Sequence, residues 1–180
     1  MKARTVFQLL AATGIVAFVA CATPDITGID RQPAEQDASL FFFGGGGPKL
    51  IECPSSESFF NSGVIGAAGG LLSAGGVTIA IPANALLANA TVSITVPASK
   101  YVEAEISVQG SEHFVFQLPV VVTMSYARCS RSNIDLMPLS AWYIDSNTKQ
   151  LLEKQPSFDN KLLRTVTFTT GHLSGYAIAN

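Results

Sequence analysis

From Lys49 to the C-terminus, apolar and polar residues alternate in short runs separated by Gly, Pro, Asn and Ser, the period-two signature of half-buried strands. Val77, Ile79 and Ile81 alternate with Thr78 and Ala80, and Val92, Ile94 and Val96 alternate with Thr91, Ser93 and Thr95. Further strands are predicted over residues 101–108, 113–118, 120–126, 141–145, 150–154, 162–170 and 173–179. Pro82, Pro97, Pro119, Pro138 and Pro156 fall between these runs, where a missing N–H costs no ladder bond. With no helical period to compete, the pattern predicts an all-β fold, a sandwich or barrel of short strands closed by two inward faces.

The pattern changes before residue 49. Lys2 and Arg4 precede an apolar stretch over residues 9–20, the charge-then-apolar order of a secretory signal, and that stretch is too short to span a bilayer. It ends Phe18-Val19-Ala20-Cys21, which resembles the lipobox of bacterial lipoproteins, with Phe18 where Leu is usual. The resemblance implies cleavage before Cys21 and lipidation of its thiolate, a nucleophile that a serine hydroxyl could not replace near neutral pH. Two or more acyl chains hold a protein stably at a membrane, where one is marginal. Ala22, standing where a retention signal would place Asp, points to the outer membrane, facing periplasm or surface. The expected organisation is a signal peptide over 1–20, a lipidated N-terminus and flexible linker over 21–48, and a β domain over 49–180.

Within the linker, residues 22–39 are polar, contain Pro24 and Pro33 and lack periodicity. A tether of 20 to 30 residues reaches roughly 25 to 30 Å by random-coil scaling. Leu40-Phe41-Phe42-Phe43 interrupts it before four glycines. Two readings of this burst stand, a partner or membrane contact and a strand folded back on the core, and the second is favoured.

Composition narrows the function. Only 13% of residues are charged, the formal charge is −2 and no basic run occurs, so a nucleic-acid interface is excluded for want of phosphate-neutralising residues. Loss of Lys2 and Arg4 with the signal leaves nine basic residues against 13 acidic ones, a mature charge of −4. With Cys21 assigned to lipid, Cys53 and Cys129 form an even pair in an exported chain, and a disulfide is expected, two buried thiols being the alternative. Two thiols without neighbouring ligands do not make a metal site.

Three further segments, Gly69-Gly70-Leu71-Leu72, then Val77 through Pro82-Ala83-Asn84-Ala85-Leu86, then Thr91-Val92-Ser93-Ile94, together resemble the ZU-five domain, a β-sandwich named from zonula occludens proteins and netrin receptors. The family pattern has a Gly-Gly-x-Leu turn and a strand ending Ile-Pro-x-Gly-Ala-Leu; Asn84 stands here for the glycine. Asn is the non-Gly residue that best tolerates positive φ, so Asn84 is expected there. The ending His172-Leu173-Ser174-Gly175-Tyr176-Ala177 is similar to the His-Phe-Ser-x-Tyr-Ala tail of bacterial members. The resemblance implies a sandwich in which Gly69, Gly70, Ile81, Pro82, Asn84, Ala85 and Leu86 are structural.

Candidate chemistry is sparse. The Gly-rich stretch 66–76 lacks the Lys-Ser/Thr ending and following helix of a phosphate loop, no Gly-x-Ser-x-Gly elbow occurs, and Asn89-Ala90-Thr91 is a formal glycosylation acceptor that has no meaning if the source is bacterial, as the lipobox resemblance implies. Glu112-His113 with Glu103 or Glu105 would be the only conceivable metal cluster, against the ordinary reading of solvated strand-edge charges. Trp142-Tyr143 offers a sugar-stacking platform or, more ordinarily, core. The sharpest candidate is His172-Leu173-Ser174. The tripeptide resembles the self-cleavage sites of vertebrate ZU-five domains in death-domain adaptors, at His-Phe-Ser, and of adhesion receptors, at His-Leu-Ser/Thr. On one strand, positions i and i+2 share a face, so His172 would deprotonate Ser174 for attack on the Leu173 carbonyl. Against it stands a plain closing strand with Ser174, Tyr176 and Ile178 inward. The expectation is therefore a non-catalytic, cofactor-free envelope lipoprotein binding an envelope protein or wall partner, with self-cleavage between Leu173 and Ser174 as the alternative.

Overall fold

Alternation in the sequence becomes strand in the structure wherever one face is buried. The computed structural model describes residues 46–111, 114–131 and 134–180, all within one unit, Gly44–Asn180, separate from Met1–Phe43. The signal, Cys21, the linker, the Leu40-Phe43 burst and Glu112-His113 lie outside the described residues.

Thirteen strands follow one another among the described residues: β1 (Glu52–Ser55), β2 (Phe59–Ile65), β3 (Gly70–Ala74), β4 (Val77–Ile81), β5 (Ala90–Val96), β6 (Ser99–Tyr101), β7 (Glu103–Val108), β8 (Val115–Ser125), β9 (Ser140–Ile144), β10 (Leu151–Lys154), β11 (Ser157–Asn160), β12 (Thr165–His172) and β13 (Gly175–Ala179). A six-stranded antiparallel sheet, ordered β10-β9-β13-β7-β5-β2, packs on a five-stranded one, ordered β11-β12-β8-β4-β3, and β1 pairs with β6 as a ribbon. The fold is an all-β sandwich, as the alternation predicts. Val77, Ile79 and Ile81 of one sheet and Val92, Ile94 and Val96 of the other point into the shared core, where Phe168 and Tyr176 meet at 4.9 Å between ring centroids. Burying the apolar face of each strand stabilises by about 1.5–3 kcal/mol per large aliphatic side chain, which is what sets the register.

Several boundaries differ from the sequence reading: the run 101–108 is two strands, β6 and β7, which break at Val102 because they pair in different sheets. Pro119 does not end a strand: β8 runs through it as eleven residues, and its pairing with β12 shifts between Thr170 opposite Val120 and His172 opposite Val115. The proline sits in that irregularity, where no ladder N–H is required. Leu162 and Leu163 are not strand but the turn between β11 and β12. The run 173–179 starts as strand only at Gly175.

The sandwich has two ends. At one lie the β3–β4 and β11–β12 turns, the end of β8, and Asn180, whose N–H donates to the Lys49 carbonyl, so the chain enters the domain here. At the other lie the β4–β5 loop and the β12–β13 crossing. Cys53 of β1 and Cys129 of the loop after β8 are bonded, their Cα atoms 4.9 Å apart and 76 residues apart in sequence.

Candidate functional site

Two constellations singled out by the sequence meet at the end away from the chain entry. In the first, β3 and β4 pair with Gly70 opposite Ile81, so the two halves of the Gly-Gly and Ile-Pro motif face each other across one hairpin. Gly69 has φ +75°, and a Cβ there would lie 2.3 Å from the Ile81 carbonyl oxygen, closer than any side chain can approach. Asn84 has φ +66°, with its N–H donated to the Ala67 carbonyl at 2.8 Å. Ala85 and Leu86 then turn into the core, and the Ala85 carbonyl accepts from Gln117. Asn84→Gly is expected to be neutral or stabilising, whereas Asn84→Val should cost about 1–2 kcal/mol because a β-branched residue resists left-handed backbone. Urea denaturation of the two variants beside wild type checks this, and equal midpoints would contradict it.

Beside these turns, Leu86, Leu87, Phe114 and Val115 line an apolar recess of about 270 Å³, with Ala85, Ala88 and Ala90 filling its walls. Leu87 is 82% exposed and Val115 67% exposed. The loop from Pro82 to Asn89 carries no charged residue at all. Apolar side chains gathered on loop ends rather than scattered are the composition of a contact surface.

The second constellation is the His172-Leu173-Ser174 segment. His172 closes β12 in the five-stranded sheet, Gly175 opens β13 in the six-stranded sheet, and Leu173-Ser174 is the crossing between them. His172 and Ser174 thus do not share a face of one strand, because the chain changes sheets between them. Leu173 N–H donates to the Phe114 carbonyl at 3.1 Å and the Ser174 carbonyl accepts from Ile106 N–H at 3.0 Å, so the crossing is tied into both layers. The His172 ring packs against Tyr143 and Tyr176, at centroid distances of 5.5 and 6.3 Å. Its carbonyl accepts from Tyr176 Oη at 2.7 Å, while Thr170 Oγ1 lies 2.9 Å from both that carbonyl and Tyr176 Oη. Burial pushes the Tyr176 phenol up to about 12, so it remains a neutral donor near pH 7. Among the described residues no carboxylate is hydrogen-bonded to the His172 imidazole, and positive φ occurs at neither Leu173 nor Ser174. Tyr176 and Ile178 lie fully in the core, but Ser174 stands in the crossing and does not alternate with them.

The remaining candidates separate. Tyr143 faces the core and stands opposite Tyr176, whereas Trp142 is opposite Ala177 on the other face of the sheet, so the two rings form no common platform. Trp142 Nε1 is buried without an acceptor among the described residues. Glu103, buried on that outer face, is held by Ser99 and Lys149, and Glu105 by Ser146. Lys149 reaches Glu103 from a left-handed position (φ +62°) in the β9–β10 turn, whose Asp145 carboxylate accepts from Asn147 and Thr148 N–H; those bonds hold the Asp145 carboxyl below its ordinary range. No group of three or more metal-ligating side chains occurs among the described residues. Nor is any described helix long and apolar enough to cross a membrane.

Sequence reasoning missed Arg164. It lies buried with φ +53°, its guanidinium donating to the carbonyls of Ala127, Cys129 and Ser130 and paired with Asp135 at 3.1 Å. No periodicity announces a lone arginine in a turn. No protein-family model matches the chain, and no curated protein is significantly similar to it.

Proposed function

We propose that the chain is a membrane-anchored, non-catalytic lipoprotein of the bacterial cell envelope, most simply of the outer membrane, whose sandwich serves as an interaction module for an envelope protein or wall partner. The ZU-five resemblance stands as part of this proposal, carried by the Gly69–Gly70, Ile81–Pro82 and Asn84 turns described above. The observation that carries the reading is polarity: the chain enters at one end of the sandwich, and the uncharged recess of Leu86, Leu87, Phe114 and Val115 lies at the other. A lipid on Cys21 would therefore leave the recess free to meet a partner. A photoreactive side chain at position 87, irradiated in intact cells, should give a discrete adduct that one at position 158 does not; equal labelling would contradict the assignment of the recess.

Lipidation at Cys21 has its own test. Cys21→Ser should leave an unprocessed precursor, because a hydroxyl does not accept the lipid group, and detergent-phase partitioning together with intact mass reads this directly. Normal processing and partitioning of the variant would refute the anchor.

In the alternative reading the domain cuts itself between Leu173 and Ser174. It draws on the tripeptide alone. The packing of His172 on two tyrosines and the bonds that tie the crossing into both sheets support an intact chain, since an activated serine calls for an oriented base and a strained peptide. Denaturing mass spectrometry of the same sample should show no loss of residues 174–180.

A further inference from the structure

The end at which the chain enters the domain carries a second exposed apolar feature. Leu162 and Leu163 occupy the β11–β12 turn, 91% and 65% exposed, and Leu136 of the loop after β8 is 84% exposed. Turns select Gly, Asn, Asp and Ser, so adjacent leucines at a tip are not there for turn chemistry. They are not loosely held either. Asn160 Oδ1 accepts from Leu163 N–H at 3.0 Å, Tyr126 N–H donates to the Arg164 carbonyl at 2.9 Å, and the Arg164 guanidinium fastens the turn to the 127–130 loop.

Charge at this end runs against the rest of the chain. The two carboxylates flanking the leucines in sequence are engaged, Asp135 by Arg164 and Asp159 by Lys161, and Glu57, exposed just before β2, is the other acidic side chain toward this end. Arg128 donates only to the Tyr101 carbonyl, and Arg131 is exposed with no carboxylate partner among the described residues. Arg128 and Arg131 thus form no ion pair among the described residues, and they lie on the loop to which Arg164 fastens the Leu162–Leu163 turn, in a chain that is acidic overall. Contacts connect this surface to the chain entry: Lys161 Nζ donates to the Met137 carbonyl, Asn180 Nδ2 lies against Met137 Sδ, and Asn180 bonds Lys49. Residue 46, the first described, follows Cys21 by 25 positions.

We infer that the Leu136, Leu162 and Leu163 tip, flanked by Arg128 and Arg131, rests on a bilayer surface bearing anionic phospholipid headgroups. Leucine side chains enter the acyl boundary, and the arginines meet lipid phosphates at its edge. The tether limits how far the domain travels, and this tip decides which end faces lipid. The inference rests on the membrane anchoring proposed above, and it turns the recess of Leu87 and Val115 outward.

The test uses the full processed chain in a Trp142→Phe background, which removes its one tryptophan. An indole is then introduced by Leu162→Trp or, as control at the opposite end, Leu87→Trp. Each protein is reconstituted into vesicles with bromine-labelled acyl chains, either phosphatidylcholine alone or with about three parts in ten phosphatidylglycerol. In the anionic vesicles the Leu162→Trp emission should shift to the blue and fall by about twofold or more, since a boundary-seated indole lies within reach of bromine. The Leu87→Trp emission should not change, and Arg128→Gln with Arg131→Gln should restore most of the Leu162→Trp emission. Equal emission at the two positions, or crosslinking of position 162 to a protein in its place, would overturn the inference. Mass of the same preparation separates the two readings: a chain acylated at Cys21 with an unquenched Leu162→Trp indole keeps the anchor and loses the tip, and a quenched indole on an unacylated chain does the reverse.

Discussion

Reduction of Cys53–Cys129 is expected to lower the melting temperature of the domain by roughly 10 °C. The bond closes a loop of 76 residues. In the chain-entropy account such a loop restricts the unfolded ensemble by about 4 kcal/mol, and a domain of this size loses about 3 °C for each kcal/mol. Both cysteines are buried, so the reduced thiols would leave the packing intact and the loss would fall on the unfolded state. Calorimetry with and without reductant measures it, and thiol labelling of the denatured, unreduced domain should find neither Cys53 nor Cys129 free. Two reactive thiols would refute the bond, and an unchanged melting temperature would refute the account of its contribution.

Arg164→Ala should destabilise by about 3–5 kcal/mol, the usual consequence of removing one partner of a buried ion pair. Three carbonyls and the Asp135 carboxylate lose their donor, and the Tyr126 ring loses the guanidinium that sits 5.3 Å from its centroid. Arg164→Lys should recover only part of this, because one ammonium cannot occupy the positions of a planar fork serving several acceptors. Denaturant midpoints for both variants check the order, and a lysine variant as stable as wild type would show that charge alone matters there.

How much of this was legible in the sequence depended on what each residue faces. β4 and β5 were plain because one side of each is buried to near zero exposure and the other carries Thr, Ser or Ala. The turn at Asn84 was readable because positive φ admits few residue types, and its value bears the expectation out. β2 was not legible: it is the edge strand of its sheet, and Phe59-Phe60-Asn61-Ser62-Gly63-Val64 is almost wholly exposed, so burial imposed no alternation on it. Pro119 misled because a proline is excluded from a ladder only where its N–H is needed. At the candidate sites, local spacing placed His172 and Ser174 on one face, and only the switch between sheets separates them. The leucine tip and Arg164 depend on contacts more than 20 residues distant, which no window along the chain can see.

The position of β13 also bears on when the domain can fold. The last of the thirteen described strands in chain order lies in the interior of the six-stranded sheet, between β9 and β7, and Ala179 pairs with Leu50 at the opposite extreme of the domain. Without β13 in place, β9 and β10 have no neighbour linking them to β7, and the core lacks Tyr176 and Ile178. The six-stranded sheet therefore has no closed form without β13, and contacts so distant in sequence form slowly. Insertion of β13 is thus the keystone step of the domain: it joins the β9–β10 pair to β7 and brings Tyr176 and Ile178 into the core in a single event.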